Sequence, residues 1–178
     1  MALGIRPGLF RHHGSARRLK KSEIVGFMGM EERAFLEATL PEWPEEIRNQ
    51  LYQEVAEHQY CCIQHDGGIL FEGVREGLHA FSENFRLFII SNCPALTIEY
   101  FMDRAEIRYW ITESIAHGSN YQPKHVNIRE LITRHGLQCP VYLGDTDSDR
   151  KPAELVPLPF MLVDCGFGKA QKFDLRAS

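Results

Sequence analysis

Between residues 67 and 178, short continuous apolar runs alternate with stretches whose apolar residues recur at helical spacing. Residues 71–81 place Val74, Leu78 and Phe81 on one helical face. RLFIIS (86–91) is an unbroken apolar run ending in Ser91, the pattern of a strand buried on both faces. Pro94 suits the first turn of a helix, and the pattern carries that helix to about Arg104. IRYWIT (107–112) is rich in β-forming residues and predicts a strand. Lys124 to His135 reads as a helix with Val126, Ile128, Leu131 and Ile132 as its apolar members and Gly136 as its stop. PVYLG (140–144) predicts a second buried strand, and PFMLVD (159–164) a third. A short helix is expected after Asp149, with Pro152 in its first turn. Strands separated by helices of this length make βαβ units and one parallel sheet, so the fold class is α/β.

Residues 29–65 carry a different pattern. MEERAFLEATL is helical, PEWPEE interrupts it, and EEIRNQLYQEVAEHQYCC is helical again. A small helical hairpin is expected there, leading through Asp66, Gly67 and Gly68 into the α/β body. No internal repeat or low-complexity tract occurs.

Composition changes this picture little. The chain has 178 residues, 44% hydrophobic and 25% charged, with a net charge of −4. That suffices for one domain with a core, or one core with a small insert. The charge is unevenly spread. Residues 1–22 hold Arg6, Arg11, Arg17, Arg18, Lys20 and Lys21 and no acid. The remainder is therefore acidic, which argues against a general nucleic-acid surface. Five cysteines without a framework spacing read as reduced thiols of a cytoplasmic protein. No apolar run approaches the roughly 18 residues that span a membrane, so no membrane partner is expected. The basic opening resembles an organelle transit peptide, but Pro7, Gly8 and Gly14 oppose the amphipathic helix such a segment needs.

In open parallel sheets, ligands gather at the carboxyl ends of the strands. Ser91 and Asp145 both fall at such ends. VYLGDTDSD (141–149) puts three aspartates within five positions. Asp145 and Asp149 flank a tight turn, and oxygen ligands on a turn suit a hard cation such as Mg²⁺. Asp147 is expected to face water. Ser91 supplies a hydroxyl, and Lys124 opens a helix whose free N–H groups favour an anion. A cation, a hydroxyl and an ammonium around one point describe a phosphate site. Each residue has a plainer role open to it: a solvated turn, a helix cap, a surface lysine. A further stripe, His58, Cys61, Cys62 and His65, has zinc-ligand residue types along one helical face. Four ligands on one straight helix cannot surround an ion, so packing against the neighbouring helix is the expected role.

At these motifs the chain resembles the haloacid dehalogenase (HAD) superfamily, and within it the phosphoglycolate-phosphatase-like hydrolases with a helical cap. The resemblance covers about residues 26–170. LFIISN, with Ser91 and Asn92, is similar to the family's second motif, and YQPKHVNI, with Lys124, to its third. VYLGDTDSD matches the fourth, G-D-T-x-x-D. DCGFG (164–168) resembles the glycine-aromatic-glycine stretch that closes many of these cores, and ILFEGVREGL the segment re-entering the core after the cap. The resemblance implies a Rossmann-like core and a Mg²⁺-dependent phosphomonoesterase acting on a small phosphorylated metabolite. It implies that Ser91 and Asn92 bind the phosphoryl group, that Lys124 neutralises phosphate and nucleophile, and that Asp145 and Asp149 anchor Mg²⁺. It divides the chain into an atypical opening (1–25), a truncated cap (26–66) and the core (67–178).

One part of the family pattern is missing. Its members begin with a strand ending in D-x-D-x-T, whose first aspartate attacks phosphorus and whose second is the general acid and base. No such motif occurs in this chain. The nearest stretch, LFRHHGS (9–15), has Arg11 and His13 where the aspartates belong. Arg11 is permanently cationic and cannot attack phosphorus, and nothing positions His12 or His13 to do so. Only a short segment separates Ser15 from Gly26, and Pro7 would break a central strand. The expectation is that residues 1–22 are not the natural start of this domain. The functional expectation is a HAD-like phosphatase impaired for want of its nucleophile; the alternative is a non-catalytic module that binds phosphate and Mg²⁺.

Overall fold

The computed structural model describes Phe27, residues 29–166, Ala170 and residues 172–177. The basic opening segment, with Arg11, His12 and His13, lies outside the described residues, as do Phe167 and Gly168 of the closing glycine-aromatic-glycine stretch.

The hairpin consists of α1 (Glu32–Thr39) and α2 (Glu45–Asp66). Glu31 caps α1, its carboxylate accepting from the Arg33 N–H at 3.0 Å and the Ala34 N–H at 3.4 Å. Pro41 and Pro44 interrupt the helical run, and the Arg48 guanidinium closes the corner by donating to the Trp43 carbonyl at 2.6 Å. Phe35, Leu36 and Leu40 of the first arm meet Leu51, Tyr52 and Val55 of the second, with Phe27 and Trp43 against them. The hairpin thus has its own small core. α2 stops at Gly67, whose φ of 68° few side chains tolerate.

The body runs α3 (Val74–Ser82), β1 (Leu87–Ser91), α4 (Thr97–Arg104), β2 (Ile111–Ala116), α5 (His117–Asn120), α6 (Lys124–His135), β3 (Tyr142–Gly144), α7 (Asp147–Leu155), β4 (Phe160–Val163) and β5 (Leu175–Ala177). It is mixed α/β with parallel strand pairing throughout, as the apolar pattern predicts. β1 pairs with β2, and β3, β4 and β5 pair in that order.

Several details differ from expectation. A single sheet is expected, but the described strands form two, joined through α6, which packs against both β1 and α7. Each sheet has its own core: Ile98, Met102, Ala105, Ile107 and Ala116 behind β1–β2, and Ala153, Phe160, Leu162 and Ala170 behind β3–β5. With one strand neighbour among the described residues, β1 is half-buried along its length rather than buried on both faces. Leu143 of β3 is likewise 52% exposed. The strand expected over 107–112 begins at Ile111; Arg108–Trp110 form a 3₁₀ turn because Ile107 and Trp110 bond back to Met102 and Ile107 carbonyls. The helix expected from Pro94 starts at Thr97, after Leu96 takes a φ of 65°. The helix expected after Asp149 starts at Asp147, and Pro152 lies in its second turn, because the Thr146 cap fixes the earlier start. β5 was not expected; Asp174 holds it by pairing with both backbone groups of Phe160.

Candidate functional site

The carboxyl ends of β1, β2 and β3 face the hairpin. At the end of β3 the chain turns through Asp145 and Thr146 into α7. Thr146 and Asp149 form a reciprocal capping box: the Asp149 carboxylate accepts from the Thr146 N–H at 3.2 Å and from its hydroxyl at 2.6 Å. Gly144 makes room for this, since a Cβ there would stand 2.5 Å from Asp149 Cβ. Gly166, beyond β4, does the same for Asp145, whose Cβ and Oδ2 fill the place a side chain at 166 would need.

Lys124 opens α6. A cation there is opposed by the helix dipole, yet its side chain is only 6% exposed. Its ammonium donates to Asp149 Oδ1 at 2.7 Å. Burial by itself would raise the Asp149 carboxyl, but the Lys124 charge and the bonds from Lys124 and Thr146 outweigh it and hold the carboxyl below the ordinary value. Tyr142 contributes a long contact to the same oxygen, 3.5 Å from its hydroxyl. Burial, then the Asp149 charge, push that phenol well above its ordinary value. Asp147 is held by Arg150, whose Nε donates to it at 2.9 Å, and is 46% exposed.

At the end of β1, Ser91 Oγ accepts from the Cys93 N–H at 3.3 Å. The Asn92 amide donates to the Gly29 carbonyl at 2.8 Å. Gly29, with a φ of 82°, lies against the other half of the site as well: a Cβ there would stand 2.8 Å from Thr146 Oγ1. Lys124 and Asp149 therefore meet directly, Asp145 opens the turn that leads to Asp149, and Asn92 reaches that turn through Gly29, with Ser91 one residue before it at the end of β1. Among the described residues no group of three or more His, Cys, Asp or Glu is placed to hold a metal. Along the His58–His65 stripe, Cys62 Sγ lies 3.6 Å from His58 Nε2, while Cys61 is exposed.

The first turn of α1 forms the facing wall. Glu31 lies 3.8 Å from His117 Nδ1, at the end of β2. The Arg33 guanidinium sits over the Tyr52 ring at 5.0 Å and the Tyr121 ring at 5.2 Å, joining the hairpin to the loop before Lys124. Glu32 is 8% exposed and accepts from Gln59 Nε2 at 2.6 Å through Oε1. Burial drives its carboxyl up to about 7; the Gln59 bond opposes this and Glu31 adds to it. Tyr52 is raised to about 12, chiefly by burial and then by the Glu32 charge, and burial also raises Cys93. The apolar pattern gave no sign of this wall, because Glu31, Glu32 and Arg33 read as an ordinary polar helix start. The T-x-x-D spacing of Thr146 and Asp149 was the one local signal of the capping box.

No protein-family model and no curated protein sequence matches this chain. Solved structures do. A haloacid dehalogenase-like family hydrolase from Streptococcus pneumoniae aligns with a TM-score of 0.78 over 95% of this chain and 81% of that one, at 20% identity. CbbY from Rhodobacter sphaeroides, in complex with phosphate, gives 0.79 over 96% and 83%, at 12% identity. A predicted phosphoglycolate phosphatase from Haemophilus somnus gives 0.74 over 96% and 83%, at 14% identity. Among the described residues no helix is long and apolar enough to cross a membrane.

Proposed function

On the haloacid dehalogenase fold that these structures share with this chain, we propose that the carboxyl ends of β1 and β3 form a phosphomonoester site whose turnover is impaired. The observation that carries this reading is the buried Lys124–Asp149 pair beside Asp145. Two helix N-termini, those of α6 and α7, meet there, and both favour an anion. Lys124 supplies a positive charge already held in place. Ser91 and Asn92 would supply hydroxyl and amide donors from the end of β1.

The donor set fits Mg²⁺, which is content with one or two carboxylates, water and substrate phosphate. Asp145 would hold it. Asp149 accepts four contacts already, so it would serve the ion through water while keeping Lys124 in place. Bound Mg²⁺ would neutralise phosphate oxygens and polarise the phosphorus. Lys124 would add charge to the same group, and Ser91 and Asn92 would orient it. The nucleophile is what the chain lacks: its first aspartate is Asp66, in α2. Loss of one member of a cooperating set removes most of the rate enhancement. The free state of all five cysteines fits a reducing compartment such as the cytoplasm.

A second reading, a phosphate-binding module without catalysis, is favoured by one observation: Gly29 bridges Asn92 and Thr146, occupying space between the two strand ends. One experiment separates the two. Phosphate release from a generic phosphomonoester is measured with Mg²⁺, alongside the melting temperature with inorganic phosphate and Mg²⁺. The expected result is slow release that Asp145→Asn abolishes, with a rise in melting temperature. No release with the same rise favours the binding module, release at an ordinary enzymatic rate contradicts impairment, and absence of both effects contradicts the phosphate site.

A further inference from the structure

The stripe of histidines and cysteines along α2 resolves into a pair. His58 and Cys62 lie four residues apart on the helix, so their side chains stack on one face. The imidazole is turned toward the thiol: His58 Nε2 and Cys62 Sγ stand 3.6 Å apart, and both residues are half-buried. Their neighbours in sequence divide around them. Gln59 and Ile63 are buried, while Cys61, Gln64 and His65 are exposed. The pair therefore sits at the rim of the packed face of α2, supported on one side and open to solvent on the other. It belongs neither to the hairpin core nor to the strand ends that carry Lys124 and Asp149.

The separation matches a chelate. Zinc–sulfur bonds of about 2.3 Å and zinc–nitrogen bonds of about 2.0–2.1 Å, held at a tetrahedral angle, place the two donor atoms about 3.6 Å apart. Imidazole and thiol thus already stand at the bite of a single ion. Four ligands on one straight helix cannot surround an ion, but two, one turn apart, can grip it and leave its outward positions to water. The donor types select the ion as well. Thiolate and imidazole suit Zn²⁺, whereas Mg²⁺ takes oxygen ligands. The Cys62 thiol is free. On binding, its S–H bond breaks, the proton leaves to solvent and the sulfur electron pair bonds the ion.

We propose that His58 and Cys62 chelate one Zn²⁺ ion per chain at the rim of α2, at a site separate from the carboxylates of the β3 turn. The bound ion ties one turn of α2 to the next and stiffens the end of the helix that runs to Gly67. The proposal stands whether or not the strand ends bind phosphate.

The test uses the full chain, kept reduced, with Co²⁺ as the spectroscopic stand-in for Zn²⁺. A thiolate-to-cobalt charge-transfer band is expected, saturating at one ion per chain and abolished by Zn²⁺ but not by Mg²⁺. The band reports sulfur, so ions held by carboxylates or by His12 and His13 do not register. Cys62→Ser is expected to remove the band and His58→Gln to weaken binding at least about tenfold, whereas Cys61→Ser leaves band and affinity unchanged. Circular dichroism checks that each variant keeps its helices. Zn²⁺ is expected to raise the melting temperature of the unaltered chain and not that of Cys62→Ser. No band in the unaltered chain overturns the site and leaves the contact a thiol–imidazole hydrogen bond. A band that survives Cys62→Ser, a band that Cys61→Ser removes, or full affinity in His58→Gln overturns the assignment to this pair. An equal rise in melting temperature in both proteins places the ion elsewhere and overturns it too.

Discussion

Asp149 and Glu32 are both buried carboxyls, one at the turn after β3 and the other in the hairpin wall facing it. They answer burial in opposite ways. Asp149 is met by an ammonium, a hydroxyl and a backbone N–H, and its carboxyl is held down. Glu32 is met by one amide, and its carboxyl climbs to about 7. Burial costs a carboxylate in either place. What decides the outcome is how many donors the fold brings. The turn is a finished framework that positions Lys124; the wall leaves Glu32 Oε2 without a partner among the described residues and loses stability for it.

The sharpest way to break this comparison is to remove the ammonium. Lys124→Ala leaves Asp149 buried without its charge partner and should cost about 3–5 kcal/mol. Chemical denaturation measures it, and adding Asp149→Asn to the same chain should restore part of the loss. If Lys124→Ala costs no more than a surface substitution, the turn is not the bonded framework described.

pH separates the two carboxyls next. Asp149, lowered in the fold, contributes stability that is present above its unfolded value near 3.8 and is lost as pH falls through the lower folded value. Glu32 has the opposite sign. Its folded value lies above the ordinary 4.5, so its contribution is whole below 4.5 and is lost as pH rises toward about 7. Glu32→Gln keeps the shape and removes the titration. It should stabilise the protein by about 3 kcal/mol at pH 8 and leave it unchanged at pH 4. Stability curves of the two proteins that run parallel across that window would contradict the account of Glu32.

The smallest change refines the Asp149 side. Thr146→Ala removes one of its donors and half of the capping box, and should lower stability by about 1 kcal/mol. The Asp149 carboxyl should move upward, which NMR titration of the side-chain carbon would show. An unmoved carboxyl would mean that Lys124 and the backbone N–H of residue 146 hold it down without the hydroxyl.

How much of this was legible in the sequence follows from how local each cause is. α6 could be read from end to end because apolar spacing and the Gly136 stop lie within its own residues; Gly136 indeed takes a φ of 57°. β1 and β4 were legible as apolar runs. Their exposure was not, because it depends on which strand lies alongside, and β1 has β2 alone among the described residues. The pairing of Lys124 with Asp149 joins residues 25 positions apart, and motif order pointed to both without revealing that they bond each other. The Glu32 wall was hidden altogether. Nothing in E-E-R distinguishes a solvated helix start from one pressed against Gln59, Tyr52 and Tyr121, since only tertiary packing decides.

Gly29 has a consequence for how the two halves behave. Its carbonyl is tied to Asn92 and its α-carbon rests on Thr146, so the entry to the hairpin is referenced to both strand ends at one residue. Tilting the hairpin therefore also pulls on the turn bearing Asp145. The tilt of the hairpin and the set of that turn become a single mechanical variable, and position 29 is where that variable is set.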